Sequence, residues 1–195
     1  MDAFEAIHKR RAVRQYCPDP VTKEDIHTVL DAANWTPSAM NHQQWEFVVV
    51  TDKKIHEMGE CYRAIVEEYT RNWDPSPLRG SLSREEFIRF AGTCGDAPVV
   101  IVVLTDTNDS PDLRKANLES ASAAMENLLL AATALGLGTC WMTGPLRDGK
   151  ALRSILAIPD DKEIVAITPL GYPQGKPRDQ PRLDPALERK VRWVE

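Results

Sequence analysis

Five cationic or titratable side chains fall within residues 8–14: His8, Lys9, Arg10, Arg11 and Arg14. Guanidinium groups at this density attract a compact multivalent anion, because each presents a planar fork of donors that matches phosphate or carboxylate oxygens. The whole chain has a formal net charge of −5, so the basic cluster is a local device in an acidic protein. A chain of this balance is not expected to bind nucleic acid, which calls for a basic face. The plainer reading of the same arginines is surface pairing with Asp2, Glu5 or Asp19, an arrangement that adds little to stability.

Two further stretches could carry chemistry. Asn41, Gln43 and Gln44 cluster just after the turn residues Pro37 and Ser38 and just before a strand. Amide side chains offer donors and acceptors together, although turn formation and capping explain Pro37, Ser38 and Asn41 equally well. "GPLRDGKA" at 144–151 nearly spells a phosphate-binding loop, and the strand 99–106 ends in Asp106 like a metal-holding strand. Ala151 stands where the Mg²⁺-binding hydroxyl belongs and the acidic strand comes first, so a nucleotide hydrolase is a poor reading. His8, His27, His42 and His56 lack metal-ligand spacing, and Cys17, Cys61, Cys94 and Cys140 form no CxxC pair. No metal is expected. The four thiols read as reduced and mostly buried, which suits a cytoplasmic protein.

The elements that must position these groups follow from periodicity and caps. Helices are predicted over 2–10, with Phe4 and Ile7 on one face, and over 22–35, where Thr22 is the N-cap and Asp25 follows three residues on. Further helices are predicted over 53–71, 84–91, 114–135 (central and buried, ended by Gly136) and 147–158. Strands are predicted over 45–51, 97–104, 139–143 and 162–172, and 72–81 reads as a loop. Trp35, Trp45 and Trp141 are read as core, whereas Trp73 could shape a pocket within a region, 60–92, whose role the sequence leaves open. The apolar run 97–104 is too short to span a bilayer, and no membrane partner is expected. Hydrophobic residues make up 43% of the 195, enough for one α+β domain over 1–195 with its own core. The Pro-rich stretch 173–195 reads as an extended C-terminal arm.

Four motifs then fall into order: "RRAVRQY" near the start, "TPSAMNHQQWEFVVV" at 36–50, "AATALGLGTCWMTGP" at 131–145 and "PLGYPQGKPRDQPR" at 169–182. Together they resemble the FMN-dependent nitroreductase family over nearly the whole chain. The resemblance implies a central, mostly antiparallel or mixed sheet flanked by helices. It also implies a homodimer whose C-terminal arm is exchanged onto the partner, and one FMN in each of two interface sites. It places Arg10, Arg11, Ala12 and Arg14 on the FMN phosphate and ribityl chain, with Ala12 standing where the family usually has Ser. It places Pro37, Ser38, Ala39, Met40 and Asn41 along the flavin of the partner, with Gln44 where Pro usually precedes the Trp. Thr143 and Gly144 would present backbone N–H groups to the flavin N5 and O4 edge, Met142 would line the cofactor beside them, and Gly144 would let the backbone approach a flat ring. Arg182 would complete the phosphate site, with Lys176 or Arg178 as substitutes.

The activity so implied is hydride transfer from NADH or NADPH through FMN to a small electron-poor acceptor: a nitroaromatic, a quinone or an activated alkene. No catalytic side chain is required by it. A flavin-sequestering module with little turnover is the alternative of another class.

Overall fold

The run Val99–Asp106 is apolar at nearly every position, which a strand tolerates only when both of its faces are covered. In the computed structural model, which describes residues 1–73, 82–177 and 184–195, both faces are covered. Four strands, β1 (Trp45–Val50), β2 (Val99–Asp106), β3 (Gly138–Thr139) and β4 (Lys162–Gly171), form one sheet in the order β1-β2-β4-β3. All of their pairings are antiparallel. Side chains of β2 alternate: Val99, Ile101 and Val103 enter one core, while Val100, Val102 and Leu104 enter the other. A bulge between Val103 and Leu104 lets Val165 and Ala166 of β4 share the first core while Ile164 and Ile167 face the second.

Helices α1 (Ala3–Lys9), α2 (Lys23–Asn34) and α5 (Pro111–Ala134) belong to one layer, and α3 (Lys53–Tyr69), α4 (Arg84–Thr93) and α6 (Gly149–Leu156) to the other. Their boundaries follow local chemistry. Asp2 accepts the Glu5 amide at 2.8 Å, and Thr22 accepts that of Asp25 at 3.0 Å. Ser83 and Glu86 form a reciprocal capping box on α4. Pro111 opens α5, and Gly136, at φ 78°, follows its end. The buried face of α5, with Ala121, Ala124, Met125, Leu128, Leu129 and Ala132, is the centre of its layer, although its first turn is exposed.

Three expectations change. The strand predicted over 139–143 is only Gly138–Thr139 plus a bridge from Met142 to Ile167, because the Cys140 amide donates to the Thr168 hydroxyl at 3.1 Å instead of to the ladder. The helix predicted over 147–158 is split into a 3₁₀ turn, Gly144–Asp148, and α6, where the Asp148 carboxylate accepts the Ala151 amide. Trp35 and Trp141 are not core: they are 81% and 37% exposed, and only Trp45 is buried. Trp35 lies beyond the last turn of α2, past its apolar stripe. Of the predicted loop 72–81, residues 74–81 lie outside the described residues.

Helices α3 and α4 cross in backbone contact: a Cβ on Gly59 would stand 2.1 Å from the Gly92 carbonyl oxygen. Alanine is worth about 1 kcal/mol more than glycine inside a helix, but here the neighbour is rigid backbone. Gly59→Ala is therefore expected to destabilise the protein by about 2 kcal/mol, read as a lower midpoint in urea unfolding.

Candidate functional site

The N-terminal basic segment is fixed to the sheet by its own backbone. Val13 donates its amide to the Thr139 carbonyl at 2.8 Å, and Ala12 pairs with Thr139 in parallel sense. Further along, the Tyr16 amide reaches the Gly95 carbonyl at 2.9 Å, Cys17 that of Tyr172 at 2.8 Å, and Gln174 donates to Gln15 at 2.9 Å. The close approach needs glycine. A Cβ on Gly138 would meet Val13 at 2.7 Å, and one on Gly95 would meet the Arg14 carbonyl oxygen at 2.5 Å. Three of the four motifs therefore meet at one place: residues 10–17, 138–144 and 171–174.

The five basic residues divide their roles. Lys9 rather than an arginine pairs with Glu5, at 2.5 Å, and Asp2 caps α1. Arg11 donates to the carbonyls of His8 and Arg10, at 2.7 and 2.9 Å, where the negative pole of α1 favours a cation. Arg10 reaches Glu126 of α5 at 3.5 Å. The Arg14 side chain lies near the Cys140 thiol, just past β3. Arg10 and Arg14 both lie close enough to Cys140 to oppose the upward shift that burial imposes on that thiol.

Beyond Cys140, Met142 is buried and Thr143 is exposed, and neither the Thr143 nor the Gly144 amide has an acceptor among the described residues. The Tyr62 hydroxyl of α3 would stand 2.5 Å from a Cβ on Gly144. Glycine here is thus demanded by Tyr62, a neighbour that the sequence did not suggest. Burial, with lesser contributions from Cys140 and Cys94, pushes the Tyr62 phenol up to about 12, so it stays protonated and neutral.

The fourth motif lies elsewhere in the chain. Pro37, Met40 and Asn41 are exposed, and Ser38 and Ala39 are half-buried. Met40, Asn41 and Gln43 all have positive φ, at 53°, 56° and 50°. Non-glycine residues in this region cost about 1–2 kcal/mol each, and local bonds hold them there. Ala39 donates to the Ser120 hydroxyl at 3.1 Å, Gln43 to the Ser38 hydroxyl at 2.9 Å, and the Gln44 amide group to Asn117 at 2.8 Å. The Gln44 Oε1 atom is buried with no partner. Gln44 abuts the Asp106 end of β2, whereas Thr139 pairs with Leu170 at the Val99 end. Seven strand steps, roughly 23 Å, separate those ends. Lys176 is exposed, while Arg178 and Arg182 lie outside the described residues.

Segment 144–151 is no phosphate cradle: it winds into helix, and Asp148 occupies the N-terminus of α6 where an anion would sit. Asp106 is held by Lys162 at 2.8 Å. No cluster of three metal-ligating side chains occurs among the described residues. No helix among them is long and apolar enough to cross a membrane. Besides Tyr62, the sequence missed Arg147, whose guanidinium lies over the Tyr69 ring. A lone exposed arginine gives no periodic signal.

An antiparallel sheet between two helical layers, its edge extended by a basic N-terminal segment, is a nitroreductase-type α+β fold. Solved structures match it throughout. An iodotyrosine deiodinase bound to FMN and 3-iodo-L-tyrosine superposes with a TM-score of 0.80 at 24% identity, each chain covered in full. A provisionally named nitroreductase from Desulfovibrio desulfuricans in complex with FMN does so with a TM-score of 0.73 at 24% identity, over 100% of this chain and 98% of that one. Residues 7–172 match the model of the nitroreductase family, and the chain belongs to that family. A protein of Archaeoglobus fulgidus provisionally named NADH dehydrogenase/NAD(P)H nitroreductase is 32% identical over 89% of this chain and 86% of its own.

All four cysteines are free, but burial pushes the Cys94 thiol up to about 12 and raises that of Cys140 as well. Since the thiolate is the reacting form, iodoacetamide at pH 8 is expected to label Cys17 and Cys61 well before the other pair. Mass spectrometry of native against urea-unfolded protein checks this, and early labelling of Cys94 would contradict it.

Proposed function

We propose that this protein is an FMN-dependent oxidoreductase that takes hydride from NADH or NADPH and delivers it, in alternating half-reactions, to a small electron-poor acceptor. The observation that carries the reading is the Val13–Thr139 hydrogen bond, which sets Arg10 and Arg14 beside the strand that leads to Thr143 and Gly144. The donor set fits the cofactor: guanidinium groups suit its phosphate, and two unengaged amides suit the polar edge of its ring. The departure at Ala12 removes one hydroxyl from the phosphate side.

In this reading Arg10, Arg11 and Arg14 hold the phosphate and ribityl chain, and Arg182 joins them from the arm. The backbone of Thr143 and Gly144 faces the N5 edge, with Met142 beside them held to Ile167. Pro37, Ser38, Ala39, Met40 and Asn41 come from a second copy, because within one chain they lie at the far end of β2. A homodimer is supported by the apolar groups left in water: Phe4 at 76% exposure, Trp35, Leu187, Trp193 and Val194. The arm beyond residue 173 would wrap that second copy. Bound FMN supplies the hydride-carrying ring. The chain orients the partners and excludes bulk water, and no side-chain acid or base is assigned. Reductive removal of a halogen is a second reading, favoured by rat iodotyrosine deiodinase 1, 31% identical over 87% of this chain and 61% of its own.

Purified protein is expected to be yellow and to carry about one FMN per chain. Arg14→Ala should weaken FMN binding by roughly ten- to a hundredfold, the worth of one charge-assisted contact, measured by quenching of flavin fluorescence. A panel of nitroaromatics, quinones and 3-iodotyrosine with NADH and NADPH tests turnover. A colourless protein that takes up no offered FMN would overturn the reading.

A further inference from the structure

Arg147 stands three residues beyond Gly144, in the same 3₁₀ turn. Its guanidinium carbon lies 4.4 Å from the centroid of the Tyr69 ring, so the aromatic face holds it in place while its N–H edges remain free. No carboxylate neutralises it among the described residues. The acids next in sequence to Arg147 and to Tyr69 are already engaged: Asp148 accepts the Ala151 amide at 3.0 Å, and Glu68 pairs with Arg71. The third neighbour is the Tyr62 phenol, which packs on Gly144, feels the Arg147 charge and is itself neutral. The turn therefore presents a braced, uncompensated cation next to the backbone that the preceding reading places at the reacting edge.

We propose that Arg147, stacked on Tyr69, is a specificity-determining residue that selects substrates bearing an oxyanion. The proposal rests on the oxidoreductase reading. The shared chemistry is an exposed anionic oxygen within reach of Gly144. It can be a carboxylate on the electron acceptor or the additional phosphate that distinguishes NADPH from NADH. A planar guanidinium fixed at one face recognises either through its donor fork.

The test uses the full-length, FMN-loaded protein and its Arg147→Gln and Arg147→Lys variants. One arm compares 4-nitrobenzoate with nitrobenzene at fixed NADH. The other compares NADPH with NADH at fixed nitrobenzene. In Arg147→Gln the ratio of kcat/KM for the anionic over the neutral member is expected to fall about tenfold in one arm, through KM, the size of one charge-assisted contact. Arg147→Lys should restore part of that ratio. A fall confined to the first arm identifies the acceptor carboxylate, and a fall confined to the second identifies the donor phosphate. If stacking on Tyr69 merely fastens the turn to α3, both members of each pair lose activity alike and the ratios stay put, which overturns the proposal. Wild-type protein that takes up FMN and turns over nitrobenzene with unmoved ratios in the variant sinks only this inference. Wild-type protein that takes up no FMN sinks both.

Discussion

One backbone hydrogen bond, from the Val13 amide to the Thr139 carbonyl, sets the register of everything near the candidate site. Backbone bonds cannot slide by less than a residue step, and a one-residue slip would turn each side chain to the opposite face. Val13 is buried and Arg14 points the other way, toward Cys140. The alternation that buries a valine thus aims an arginine. Gly138 and Gly95 are the sequence cost of that closeness, since both lie where another residue's atoms fill the place of a Cβ.

The layers make this edge rigid. The inner strand β2 is almost fully buried, and its alternate side chains feed two separate cores. Each fully buried aliphatic side chain contributes about 1.5–3 kcal/mol, so the sheet is fixed from both sides before the N-terminal segment is added. The loop at 38–44 is different. Its left-handed residues are held by hydroxyl and amide side chains from Ser38, Ser120 and Asn117. Strain kept in place by surrounding bonds is common where a backbone must offer a set shape to a ligand.

The sequence was most legible where one local rule governed. The cap at Thr22, the stop at Gly136 and the β-branched run of β2 all stand in the structure within a few residues of expectation. It was least legible where the decisive contact is distant in the chain. The loss of ladder pairing at Cys140 depends on the Thr168 hydroxyl, 28 residues away. The demand for glycine at 144 depends on Tyr62, which periodicity marks only as an ordinary core residue. The tryptophans failed for a further reason. Size and apolarity do not distinguish a side chain buried within its own chain from one such as Trp35 left at the surface. For the candidate site, the residues themselves offered the basic cluster and the resemblance offered the 142–144 backbone, but neither gave the separate settings of Arg11, facing the end of α1, and Arg14, near Cys140.

The two margins of the sheet are treated in opposite ways. Beside β3 the chain's own N-terminus completes the pairing. On the far side, β1 has no further strand beside it among the described residues, which leaves a row of main-chain donors and acceptors unpaired. Such a row is a template on which unrelated extended peptides can zip up into fibrous aggregates. Here it is only six residues long, and its one charged residue, Glu46, reaches Lys162 of β4 at 3.4 Å. Among the described residues, brevity and that charged pair are what guard this flank against such zippering.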